Sequence, residues 1–384
     1  MKILLVGEYS NVHWTLAEGL RALGHEVTVV SDGDGWKDYP RDINLKRGPI
    51  SSKLSTINYL RRLACVFPRL RGYDIVQLIN PVFLDVRAER IWPFYRYLRR
   101  HNGRVFLGAF GIDHYWVKVG MDCKTFRYSD FNFGPQLRDY PFMHTMIADW
   151  LQGPKGDLNQ RIAEDCDGII TGLYEYEMCY RPFFPEKTHY IPFPINRSSV
   201  TPAHTLNLQP STLNSKTSTT LNSKLSTLNF FIGIQRSRSA YKGTDIMLSA
   251  LQRLKANYPD KLDIITAEDV PFAQYQEMMN NSHVLLDQLY SYTPGMNGLL
   301  AMAKGLILVG GGEPEHYELL GEKELRPIIN VQPTEEDVYH QIATRLLSGK
   351  EDIHQLQLDS IEYIRRHHDH LDVAKKYETF YLAH

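Results

Sequence analysis

The chain has 384 residues, 43% of them hydrophobic, and a formal net charge of -1. That length exceeds what one hydrophobic core usually supports, so two domains are expected. The near-neutral charge excludes the overall basicity of a nucleic-acid binder, and the apolar content excludes a disordered chain.

The run Lys2–Val6 is almost wholly apolar, as a parallel strand covered on both faces should be. Leu16, Leu20 and Leu23 then recur at helical spacing, Gly24 stands where a helix C-cap belongs, and Glu26–Val30 is a second apolar run. This is a βαβ unit. Apolar runs at Asp74–Ile79, Arg104–Ala109, Gly168–Thr171 and Thr188–Ile191 continue it, so residues 1–204 read as one doubly wound domain. Residues 205–229 nearly repeat S-T-L-N-S-K without aromatic or acidic residues and read as a low-complexity linker or loop. A second alternating unit, 230–366, opens with the strand FFIGI and continues through strands at Leu262–Thr266, Val284–Gln288, Leu306–Val309 and Pro327–Val331. Two helical segments, 334–347 and 351–382, close the chain, and 367–384 is a candidate to cross back to the first domain. The expected class is α/β, with two Rossmann-like doubly wound domains.

Arg236, Arg238 and Lys242, followed by Gly243, lie between a strand and a helix. A diphosphate needs cations and backbone N–H groups, and such a turn offers both. Further on, Pro294-Gly295-Met296-Asn297 opens a helix of small residues, so the N–H groups of Gly295, Met296 and Asn297 are candidate phosphate or sugar donors. Asn11 and His13 lie where the first helix begins, at the carboxyl edge of the first strand, with Asn11 also a plausible N-cap.

In series these motifs resemble the retaining glycosyltransferases of GT-B fold found in bacterial capsule and lipopolysaccharide synthesis. Leu23–Val30 is similar to the family's L-x-x-x-G-H-E-V segment, and Ile191-Pro192-Phe193-Pro194-Ile195 to its I-P-N-G segment. The Arg/Lys turn with Gly243 is similar to R…K-G, and Ala301–Gly305 to the helix E-A-M-A-x-G. The resemblance implies two domains facing a cleft. The N-terminal one, 1–204, would bind the acceptor and the C-terminal one, 230–366, the nucleotide-sugar donor. Arg236 or Arg238, with Lys242, would neutralise the departing diphosphate. No metal and no cofactor beyond the nucleotide-sugar is expected.

The chain departs from the family in two places. The paired glutamates that hold the donor ribose are replaced by Tyr292 and Leu300, which makes Glu313 and Glu315 the nearest candidate substitutes. The family's H-G-x-D loop has Phe110 at the His position but keeps Gly111 and Asp113, so His114 is the candidate imidazole for the transferred sugar.

The expected partners are a nucleotide-sugar and a saccharide or lipid-linked acceptor, with no nucleic acid. Residues 53–104 carry eleven Lys and Arg against three Asp and Glu among many aromatics, a candidate peripheral contact with an anionic membrane surface. Four scattered cysteines without a C-x-x-C pair, and no apolar run near the roughly 18 residues of a membrane span, make the cytoplasm the expected compartment. Two rival readings remain. One is a non-catalytic scaffold of the same fold. The other is a nicotinamide-dependent enzyme using Asp32, against which the missing G-x-G-x-x-G counts.

Overall fold

The computed structural model describes residues 1–48, 53–206 and 227–384. Most of the low-complexity stretch, 207–226, lies outside the described residues. The chain divides into two compact units, the first formed by 1–198 with 365–384 and the second by 199–364.

Unit 1 is built on seven parallel strands: β1 (Lys2–Val6), β2 (Glu26–Ser31), β3 (Ile43–Asn44), β4 (Ile75–Leu78), β5 (Arg104–Ala109) and, after a small hairpin of β6 (Asn132–Phe133) with β7 (Gln136–Leu137), β8 (Gly168–Thr171) and β9 (Thr188–Tyr190). The sheet order is β3-β2-β1-β4-β5-β8-β9. Ile3 to Val6 are fully buried because β1 pairs on both edges and is covered on both faces. The helix Val12–Ala22 packs against the last helix, His370–Ala383. Gly19 permits their approach, since a Cβ there would lie 2.4 Å from the His370 carbonyl oxygen.

The closing helical segment, expected as one piece over 351–382, is two helices, Ile353–His367 and His370–Ala383. Asp369 starts the second by accepting from the Leu371 amide at 3.0 Å.

Unit 2 has five parallel strands: β10 (Leu228–Ile234), β11 (Leu262–Glu268), β12 (Val284–Leu286), β13 (Ile307–Gly310) and β14 (Ile329–Asn330), in the order β11-β10-β12-β13-β14. Strand β10 begins two residues before the expected position, inside the stretch read as linker, because the Leu228 amide already bonds the Lys261 carbonyl at 2.9 Å. Residues before the undescribed stretch belong to unit 2 as well: Ala203 bonds Lys304 and His204 bonds Asn280 through their backbones, at 2.9 and 2.8 Å. A core of hydrophobic side chains, including Phe230, Met247, Leu251, Val284, Ile307 and Ile342, joins this sheet to its helices.

Candidate functional site

In an open parallel sheet, ligands bind at the carboxyl ends of the strands where successive connections leave on opposite sides. In unit 2 that point lies between β10 and β12. The loop leaving β10 carries Arg236 and Arg238 on an exposed 3₁₀ turn, then a short helix, Ser239–Lys242. Arg236 pairs with Glu268 at the end of β11. Lys242 is half-buried, and Gly243, at φ +72, turns the chain into the helix Thr244–Asn257. A left-handed residue is needed there and a side chain would not fit, because a Cβ would stand 2.7 Å from that of Leu289.

The loop leaving β12 meets this turn directly, as the Leu289 amide donates to the Lys242 carbonyl at 2.9 Å. It ends at Gly295, which opens the helix Met296–Ala303, so Arg236, Arg238, Lys242, Gly243, Gly295, Met296 and Asn297 share one edge of one sheet. The third loop, after β13, joins them through the Glu313 amide, which donates to the Tyr292 carbonyl at 3.1 Å.

Glu313 was expected as a ribose grip. It is buried, and its Oε1 accepts from Asn330 Nδ2 at 3.0 Å and Gln332 Nε2 at 2.7 Å, so that oxygen serves the loop's own structure. Glu315 is half-buried in the first turn of the helix Pro314–Leu320. Sequence reading does not single out Asp287, which ends the β12 run VLLD, or Tyr275. A carboxylate terminating a buried aliphatic strand was the available signal.

In unit 1 the side chains expected at the corresponding edge have hydrogen-bond partners within the unit. His13, expected to face a ligand, is fully buried. Its Nδ1 donates to the Gly7 carbonyl at 2.8 Å, which leaves Nε2 to accept from Gln77 Nε2 at 3.1 Å. Gln77 Oε1 accepts in turn from Tyr381 OH at 2.5 Å. Burial holds the His13 pKa down to about 3, so the ring is neutral.

Asn11 does not cap the first helix with its side chain. It stands at φ 69 with Nδ2 donating to Thr15 Oγ1 at 3.2 Å. Glu8 takes the capping role, accepting from the His13 and Trp14 amides at 3.2 and 2.8 Å. Burial pushes the Glu8 pKa up to about 8.

Asp113 and His114 are also interior. Asp113 caps the helix His114–Gly120 through the Trp116 amide at 2.9 Å and accepts from Tyr180 OH at 2.6 Å, and burial raises its pKa to about 7. His114 bonds the Trp150 carbonyl through Nδ1 at 2.9 Å, and burial lowers its pKa. Both were expected at the transferred sugar. A buried polar group must find partners inside the protein, and both have them. Tyr9 lies over Gly111, close to the buried Asn80.

No family model and no curated protein matches the sequence. Solved structures do. Sucrose-phosphate synthase from Thermosynechococcus elongatus is similar over 100% of this chain and 98% of its own, at 15% identity and TM-score 0.60. HepE of Anabaena, solved with UDP and glucose, is similar over 100% of both chains at 12% identity and TM-score 0.59. The catalytic domain of starch synthase IV from Arabidopsis thaliana, bound to ADP and acarbose, is similar over 100% of this chain and 98% of its own, at 12% identity and TM-score 0.57. The fold is therefore GT-B: two Rossmann-like α/β units in one chain.

Proposed function

We propose that this protein is a glycosyltransferase that moves a sugar from a nucleotide-sugar to a saccharide or lipid-linked acceptor. The observation that carries this reading is the meeting of the Arg236–Gly243 turn with the Leu289 loop at the topological switch point of unit 2. The GT-B fold, shared with proteins solved with UDP or ADP, supports it. Arg236 or Arg238 and Lys242 balance the charge that grows on the diphosphate as the bond from the anomeric carbon to the phosphate oxygen breaks. The acceptor oxygen forms the new bond to that carbon, and its proton passes to the departing phosphate. In this reading anomeric configuration is retained and cationic side chains do the work of a metal. Unit 1 takes the acceptor at the carboxyl edge of its sheet, on the loop that carries the half-buried Tyr9. The product belongs to cell-surface polysaccharide, made on the cytoplasmic side.

Docking to an anionic membrane fits the helix Lys53–Val66, where Ile57, Arg61 and Arg62 are exposed. No helix among the described residues is long and apolar enough to cross a membrane.

A second reading, a non-catalytic nucleotide- or sugar-binding scaffold, is favoured by Tyr292 and Leu300 at the ribose positions and by the local bonds of Glu313. The test is a thermal-shift screen with UDP, ADP and their glucose esters. Stabilisation by at least one is expected, because a ligand that binds only the folded state raises its stability. No response to any of them overturns the transferase reading, whereas binding without release of nucleoside diphosphate in the presence of acceptors selects the scaffold.

A further inference from the structure

Asp287 has no part in the reading above, yet it stands where an anion would otherwise bind. It directly follows β12 and is 7% exposed. Its Oδ1 accepts from Asn297 Nδ2 at 3.3 Å, and Asn297 Oδ1 accepts from Tyr275 OH at 3.1 Å. The carboxylate lies against the amides of Gly295 and Gly298, which open the helix Met296–Ala303. Oδ2 sits beneath that turn: a Cβ on Gly298 would be 3.0 Å from it and one on Gly295 3.7 Å. It makes no well-formed hydrogen bond among the described residues. Burial raises the pKa of this carboxylate, and the Lys242 charge, the Asn297 hydrogen bond and the Gly295 and Gly298 amides act against that and favour its charged form. A helix N-terminus attracts negative charge over its first turn only. Here a side chain of the protein already fills that place.

We infer that Asp287 is a specificity-determining residue of the donor site, a fixed internal anion that tunes it to a sugar-esterified diphosphate and against more highly charged free nucleotides. This rests on the donor reading of unit 2. Near neutral pH a nucleotide-sugar carries about two negative charges on its diphosphate, a nucleoside diphosphate about three and a triphosphate about four, because a terminal phosphate has a second pKa of about 6. With Lys242 shared between Asp287 and the ligand, each added charge meets repulsion worth about tenfold in affinity at a separation of about 12 Å and an effective dielectric of about 20. The same repulsion favours departure of the nucleoside diphosphate once the sugar has left.

The test is titration calorimetry on the full chain in metal-free buffer with UDP-glucose, UDP and UTP and with ADP-glucose, ADP and ATP. In the unsubstituted protein the nucleotide-sugar should bind more tightly than the diphosphate, and the diphosphate more tightly than the triphosphate. Asp287→Asn should tighten the diphosphate about tenfold relative to the nucleotide-sugar, and Asp287→Ser should act in the same direction. A reversed order in the unsubstituted protein overturns the inference even if neither variant folds. An Asp287→Asn ratio unchanged within about twofold overturns it too, while leaving the donor reading intact. If none of the six ligands binds, the donor reading falls and this inference with it.

Discussion

The two sheet edges use polar residues in opposite ways. At the edge of unit 1, Glu8, His13, Asp113 and His114 are buried, and each is tied to a backbone or side-chain partner. At the edge of unit 2, Arg236 and Arg238 are exposed and Lys242 is half-buried. Interior polar groups fix loop geometry, and their residue types say little about chemistry. Cations on a loop at a switch point stand where a ligand can reach them, which is why the proposed donor site is assigned to unit 2.

The sharpest way to break this contrast is Asp113→Ala. Losing the cap and leaving Tyr180 without its acceptor should cost about 3 kcal/mol of stability. All five tryptophans lie within residues 1–198, so urea unfolding followed by tryptophan fluorescence reports unit 1. A change below about 0.5 kcal/mol would show that Asp113 is not structural. Lys242→Ala should do the reverse, weakening nucleoside diphosphate binding about 10- to 100-fold, the worth of a charged hydrogen bond, with the fluorescence transition unmoved. Unaltered binding in calorimetry would place the phosphates elsewhere.

A smaller effect is expected with pH. The raised pKa values of Glu8 and Asp113 give stability that is complete at low pH and lost as pH rises toward about 8 and about 7. Burial also lowers the pKa values of His13 and His368 to about 3, giving stability lost as pH falls below the ordinary histidine range. The two trends oppose each other in mild acid, and only the carboxyl trend remains above about pH 6.5. Unit 1 should therefore lose about 1–2 kcal/mol between pH 6.5 and 8, and Glu8→Gln should flatten that slope. Smallest of all, Arg236→Ala should lower nucleotide affinity only a few-fold, since the side chain is exposed and shared with Glu268. A loss equal to that of Lys242→Ala would contradict that ranking.

Both sheets were legible in the sequence, because aliphatic runs such as Ile3–Val6 and Val284–Leu286 must be covered on both faces. The Arg236–Gly243 turn was legible for the same local reason, lying between one such run and a helix. Capping by Glu8 was not, since Asn11 occupies the usual position and only the path of the chain brings the earlier carboxylate to the His13 and Trp14 amides. The interior placement of His13 depends on Gln77 and Tyr381, 64 and 304 residues away, which no local pattern can encode. Asp113 was recognisable as a residue but not as a cap, although its three-residue offset from Trp116 is the usual N-cap spacing.

Unit 1 is completed only by residues 365–384, which the ribosome makes after the whole of unit 2. During synthesis the helix Val12–Ala22 must wait for its partner, His370–Ala383, and His25 for Glu378. Until residues 365–384 have been made, the first unit exposes that apolar face, which makes the N-terminal half the part most dependent on protection from aggregation during synthesis.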